Sequence, residues 1–363
     1  MVVADVLEFL ELWAPREIAW DRDNIGLQVG SLKKKVQNIL VTLDVSEEVV
    51  NEAKRKNVDL IISHHPLIFH HLRCINGDEG IGRLIEVLIK NNIALCTTHT
   101  NLDSAHSGVS FELANRLDLQ NIDFLSKNFR VQKKIVVFVP LEYSNKVMEA
   151  MASAGAGKIG DYELCSFSTE GSGTFIASKN SSPFIGKVGR LERVSEVRLE
   201  MILPSWKLNN VIQAMRMAHP YEEIAFDVYN LDNVSNEYGM GALGDLNRGM
   251  VLKKFLMKIK RDLKTPLLRF SGNLKKIIRR VAVCGGSGSD LLSTAIQRGA
   301  DAFITADIKY HTFLQCDHRI ALVDAGHYET EQPIVKKIVH YLRKRKAVRV
   351  FSSRSMANPV QYY

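Results

Sequence analysis

Apolar and polar positions alternate in one manner at the two ends of this chain and in another through its middle. Residues 36–43 form an apolar run that breaks at Asp44, after which Ser46, Glu47 and Glu48 read as the N-cap and acidic first turn of a helix reaching about residue 56. Residues 59–63 are the next strand-like run, 82–90 carry helical periodicity, and 93–97 are extended again. Strands separated by helices predict parallel crossovers and an α/β layered domain. The same pattern returns late: strands over 280–284, 302–305 and 320–324, a helix over 291–298, and a closing helix with the stripe Ile334, Val335, Ile338, Val339 and Leu342. Residues 2–12 have the pattern of an amphipathic helix, not of a cleaved leader.

From about 128 to 250 the pattern changes. A strand is expected over 134–140 and a helix over 147–154. A glycine-rich stretch at 155–160 follows, with further turns at Gly171, Gly173, Gly186 and Gly189, a strand over 197–203 and a helix over 208–217. Hairpin-forming strands with two helices predict an α+β module. The expected organisation is therefore an α/β domain in two parts, 1–127 and 251–363, interrupted by an inserted α+β domain, 128–250.

Composition narrows the class. The chain has 363 residues, 46% of them hydrophobic, which is enough for two or three packed domains. No apolar run approaches the roughly 20 residues that cross a bilayer. Five cysteines without C-x-x-C spacing predict free thiols in a reducing cytoplasm. The net charge of +8 is concentrated in 253–280 and 336–349. That surplus either steers phosphate-bearing ligands or nucleic acid, or is the solvated side of amphipathic helices. No aromatic–basic interleaving of the single-strand-binding type accompanies it.

The chemistry collects where apolar runs end. Ser63-His64-His65-Pro66, Thr98-His99-Thr100-Asn101-Leu102-Asp103 and Gly326-His327-Tyr328-Glu329-Thr330-Glu331 each follow a predicted strand. Open α/β sheets gather ligands beyond the carboxyl ends of their strands. Each motif alone has a plain alternative: hydrogen-bonded loop histidines for His64 and His65, an ordinary i,i+4 pair for His327 and Glu331. Together they predict a metal centre of imidazole and carboxylate with no thiolate, suited to two divalent ions, zinc, iron or manganese, with Glu331 as the bridge. Asp307, Lys309 and His311 follow another strand and are read either as substrate or acid–base groups at the metal rim or as a polar loop. Gly285-Gly286-Ser287-Gly288-Ser289 is either a phosphate cradle or a plain turn; without a following Gly-Lys-Ser/Thr the turn is favoured. His219 reads as a structural loop residue.

These three motifs resemble the metal motifs of the Nif-three-like family, whose members are often labelled GTP cyclohydrolase I type 2 homologues. Residues 20–30, Trp20 to Gly30, resemble that family's N-terminal signature, and Asn358-Pro359-Val360-Gln361-Tyr362 its C-terminal end. The resemblance implies ligation by His64, His65, Asp103, His327 and Glu331, with His99 as a further ligand or a group behind the ligands. The middle segment is similar to the PII/CutA-like domain of longer members, through residues 155–162, 186–190 and 219–223. The family usually has glycine where this chain has Ala306. A homohexameric ring, a small-molecule substrate such as a nucleotide, and hydrolase activity are implied in the same way. A non-catalytic metal-binding, metal-delivery or regulatory ring is the alternative.

Overall fold

The apolar run that leads into His64 forms the strand Leu60–Ser63, every residue of it buried, as a parallel strand covered on both faces requires. It pairs in parallel with Asn38–Thr42 and with Ala94–Thr97. The full sheet runs Gly26–Val29, Ala94–Thr97, Leu60–Ser63, Asn38–Thr42, Arg349–Ser352, with only the first strand antiparallel to its neighbour. The computed structural model describes residues 1–363 except Glu79, Asn128, Asp317 and Tyr363, so the expected boundary residue 128 lies outside the described residues.

Helix Glu47–Arg55 begins where the acidic turn predicted it, with the Ser46 hydroxyl accepting from the Val49 N–H at 3.4 Å. Its Val49, Val50 and Ala53 pack with Ile85 and Leu88 of helix Gly80–Lys90 onto Leu40, Ile61 and Leu95 of the sheet. Each of these buried valine, leucine and isoleucine side chains contributes about 1.5–3 kcal/mol of transfer free energy.

A second sheet has six strands in the order Arg269–Ser271, Ala321–Asp324, Ala302–Thr305, Ile277–Val283, Met240–Val251, Leu119–Ser126. Strands Ile277–Val283, Ala302–Thr305 and Ala321–Asp324 are parallel; the others run antiparallel to their neighbours. Helix Leu252–Leu263 covers one face through Phe255 and Ile259, and Leu292 and Ala295 cover the other. The apolar stripe of the closing helix Pro333–Leu342 is buried as predicted.

Both sheets belong to one compact unit, residues 1–128 with 236–363; residues Phe129–Ser235 form a second unit. That second unit is a four-stranded antiparallel sheet, ordered Phe167–Ile176, Leu191–Pro204, Gln132–Pro140, Phe226–Asn230. Helices Ser144–Ser153 and Leu208–Ala218 lie on one face, where Val147, Met151, Val211 and Met215 pack against Val137, Val139, Val197 and Leu199. The β-α-β-β-α-β succession is that of ferredoxin-like folds.

Residues 236–250, expected in the inserted segment, instead pack with the first unit. Strand Met240–Val251 pairs with both Leu119–Ser126 and Ile277–Val283, long-range partners that local periodicity does not reveal. The basic stretch from 253 onward conceals helix Leu252–Leu263, whose lysines lie outside its buried stripe of Leu252, Phe255, Leu256, Ile259 and Leu263. All five cysteines are free thiols, and no helix among the described residues is long and apolar enough to cross a membrane.

Candidate metal centre

Successive side chains on a strand point to opposite faces, yet His64 and His65 turn toward one place. Strand Leu60–Ser63 ends at Ser63, and the N–H groups of His64 and His65 both donate to the Leu43 carbonyl, at 3.2 and 2.9 Å. The two rings lie 5.0 Å apart between centroids. Across from them, Gly326 (φ +89°) makes the bend between strand Ala321–Asp324 and helix His327–Glu331, where a Cβ would stand 2.2 Å from Glu329 Oε2. One helical turn then places His327 and Glu331 on one face. The carboxyl ends of parallel strands from both sheets thus meet at one crevice.

Glu331 is the centre of it. Its Oε2 lies 2.8 Å from His65 Nε2, 3.1 Å from His327 Nε2 and 3.9 Å from His64 Nε2. His64, fully buried, donates from Nδ1 to the Thr98 carbonyl at 2.9 Å, so its Nε2 faces Asp103 Oδ1 at 3.5 Å and Glu331. His64 Nε2, Asp103 Oδ1 and Glu331 Oε2 are all buried without a hydrogen-bond partner of good geometry. Three such atoms together are costly, and a divalent cation accepts lone pairs from all of them at once. The donor set therefore fits a metal. Among the described residues, one group of three, His64, His65 and Glu331, offers ligand atoms all within 4.8 Å of one another.

Electrostatics agree with that fit. Burial, reinforced by the neighbouring histidines, lowers His64 to about 3 and keeps it a neutral donor. Burial also disfavours charge on His65, yet contacts with Asp44 and Glu331 raise it to about 10; Glu331 and Asp307 likewise raise His327 to about 9. Burial and the nearby Glu331 charge push Asp103 well above the carboxylate range. Glu331, which burial would also raise, is instead held low by His327 and His65. Protons on His65 and His327 thus balance the Glu331 carboxylate, and a divalent cation bound by the cluster would displace them.

The ligand candidates are held from behind. Asp44 Oδ1 contacts His65 Nδ1 at 2.8 Å, Asp23 Oδ1 contacts His99 Nδ1 at 2.9 Å, and Asp307 Oδ2 contacts His327 Nδ1 at 2.6 Å. Such carboxylate–imidazole pairs fix the ring and direct the opposite nitrogen. Burial would raise Asp23, but hydrogen bonds from His99 and Thr100 lower it to about 2. Asp44 and Asp23 escaped the reading of the sequence. Asp44 directly follows strand Asn38–Thr42 and its neighbour Leu43, as the ligands follow theirs, and Asp23 lies within the N-terminal signature.

Of the residues read from the sequence, His64, His65, His99, Asp103, His327 and Glu331 come together, and Asp307 stands behind His327. Lys309 and His311 are exposed at the start of helix Tyr310–Leu314 and do not line the cavities beside the cluster. In the glycine-rich turn the three glycine N–H groups are engaged: Gly285 donates to Ser110 Oγ, Gly286 to Thr330 Oγ1 and Gly288 to Thr305 Oγ1. A Cβ on Gly286 would meet Glu331 Oε1 at 2.1 Å. Ala306 is wholly buried, its N–H donating to the Gly286 carbonyl. In the second unit both His219 nitrogens are engaged, with the Phe138 carbonyl and the Tyr221 N–H. One cavity of about 130 Å³ opens beside the cluster among Trp20, His99, Asp103 and Glu331, and another of about 240 Å³ among Asp44, His65, His327 and Asn358.

A layered mixed α/β fold with imidazoles and carboxylates gathered at strand ends defines a protein with a candidate metal centre. The chain belongs to the Duf34/NIF3 (NGG1p interacting factor 3) family, whose profile matches residues 1–359. The GTP cyclohydrolase 1 type 2 homolog of Bacillus subtilis (strain 168) is 40% identical, covering 98% of this chain and 97% of its own length. The protein of the same name from Halalkalibacterium halodurans is 38% identical over 94% and 93%. The crystal structure of the Bacillus cereus protein related to NIF3 has a TM-score of 0.88 at 39% identity, covering 100% of this chain and 99% of that one. Staphylococcus aureus protein SA1388 has a TM-score of 0.81 at 31% identity, with the same coverage.

Proposed function

We propose that the protein is a metal-dependent hydrolase with two divalent ions, zinc, iron or manganese, acting on a nucleotide or phosphoester. The observation that carries this reading is the convergence of His64 Nε2, Asp103 Oδ1 and Glu331 Oε2, all buried and without a hydrogen bond of good geometry. His64, His65, Asp103, His327 and Glu331 would hold the ions, with Glu331 shared between them because a carboxylate has two oxygens and an imidazole offers one nitrogen. The metals would supply Lewis acidity and a water acidified toward neutrality. Around them, Asp44, Asp23 and Asp307 orient the rings of His65, His99 and His327. His99, on the wall of the smaller cavity, is the acid–base candidate. Lys309 and His311 belong to this reading only as outlying groups that meet a substrate extending beyond the crevice.

The cavities beside the cluster favour this reading over metal storage, since they leave room for a reacting group next to the ligands. The name carried by the relatives supports a nucleotide without selecting guanine. The same proposal places the protein in a reducing cytoplasm, on its five free thiols, assembles it as a homohexameric ring, and reads the unit Phe129–Ser235 as a PII/CutA-like domain from its ferredoxin-like succession.

Metal per chain, measured on protein purified without chelator, tests the reading beside a hydrolysis screen of nucleotides and phosphoesters with Glu331→Ala as control. About two ions per chain with turnover lost in the variant is the expected result; full metal retention by Glu331→Ala removes the proposed bridge. Metal without turnover transfers the assignment to a binding or regulatory ring. Light scattering reads the oligomeric state.

A further inference from the structure

The sheet of the unit Phe129–Ser235 has two unlike faces. Val197 and Leu199 point toward the helices and are buried; Glu196 and Arg198, one residue out of step, belong to the other face. Register places Glu196 opposite Pro140 and Gly171, and Arg198 opposite Phe138 and Thr169. Gly171 and Gly173 bring no side chains to this face, and over it lies a cavity of about 760 Å³, lined also by Ala177, Pro183, Phe184 and Tyr221. Its size is that of small-molecule sites. It lies wholly within this unit and shares no residue with the metal centre.

The chemistry of its wall is one-sided. Glu170, Glu196, Glu222 and Glu223 line it against one cation, Arg198. Arg198 is already committed, its Nε 2.8 Å from Glu200 Oε1 and its guanidinium stacked over Phe138 at 5.7 Å; Glu200 also holds Lys134. Glu196 has a neutral partner, the Tyr221 hydroxyl, which donates to it at 3.0 Å. Among the described residues no basic side chain stands within ion-pair distance of Glu196, Glu170, Glu222 or Glu223. Tyr221 in turn is flanked by the rings of Phe175 and Phe184, each centroid 6.4 Å away. Aromatic faces beside uncompensated carboxylates attract an organic cation, the rings covering its apolar body and the carboxylates its charge.

We infer that this cavity binds a protonated amine carried on an apolar stem, with Glu196 as the charge partner and Tyr221, Phe175 and Phe184 as the aromatic wall. The glycine at 171 is part of the device. A Cβ there meets nothing within 4 Å, so a larger side chain fills the cavity without disturbing the sheet.

Isothermal titration of the full-length protein with spermidine, at fixed ionic strength, tests the inference. Saturable binding is expected, weakened at least tenfold in Glu196→Gln and abolished in Gly171→Leu, with circular dichroism showing both variants folded. Phe184→Ala, at a half-exposed position, gives an independent loss should either of the others fail to fold. Glu331→Ala should bind spermidine as the parent does, so failure of the metal reading and failure of this one are separable. Absence of saturable heat, unchanged affinity in the folded variants, or displacement by magnesium chloride at matched ionic strength would each overturn the assignment.

Discussion

His64 Nδ1 lies 2.9 Å from the Thr98 carbonyl oxygen, across adjacent parallel strands. A carbonyl only accepts, so Nδ1 carries the proton and Nε2 is left with its lone pair facing Asp103 and Glu331. The parallel pairing that builds the sheet therefore also sets the tautomer of a metal-ligand candidate.

Substituting His64 by alanine should remove at least one ion per chain while leaving far-ultraviolet circular dichroism unchanged. Elemental analysis reads the loss. A variant that keeps its full metal content would remove His64 from the ligand set.

Chelation should lower the melting temperature, and adding back zinc or manganese should raise it, because an ion bound only by the folded state stabilises it by mass action. The gain is about 4 kcal/mol at free metal a thousandfold above the dissociation constant. Calorimetry with and without chelator measures it, and His64→Ala should lose most of the shift.

Gly286→Ala should impair the centre without replacing a ligand. At φ +59° a side chain is strained, and the new methyl would collide with Glu331 Oε1. A destabilisation of about 1–3 kcal/mol is expected from the backbone conformation, accompanied by reduced metal content. Urea denaturation and elemental analysis together distinguish this from a purely structural defect elsewhere.

Glu52 predicts an acid-labile closure of the C-terminal segment. Buried on helix Glu47–Arg55, it accepts from the N–H groups of Arg354 and Ser355 and from the Ser353 hydroxyl. Burial would raise its pKa, but these bonds and Lys56 lower it from 4.5 to about 2. A depressed folded-state pKa contributes stability that is present above pH 4.5 and lost as pH falls toward about 2. Thermal melts across that window should show a shallower acid limb in Glu52→Gln than in the parent.

Much of the first unit was legible because its parallel strands are short, continuous apolar runs bounded by polar ends, as at Ile61 and Ile62 or Leu322 and Val323. The antiparallel strands were harder. In Leu119–Ser126, buried and exposed positions do not alternate regularly, and its partner Met240–Val251 lies more than a hundred residues away. The ligand candidates were legible for the same reason as the strands, since each lies at the end of one or in the helical turn that follows it. What the sequence concealed was support at a distance: Asp23 behind His99 and Gly286 against Glu331 are relationships created by folding, with no local spacing to announce them.

The gathering of His64, His65 and Glu331 from two different sheets has a topological consequence. An ion shared by them would act as a cross-link that closes most of the chain into a loop, including all of the unit Phe129–Ser235. Such a closure removes freedom from the unfolded chain in the manner of a long-range staple. A proteolytic cut inside the intervening unit would then leave two fragments still tethered through the metal, and stripping the ion would weaken that tether.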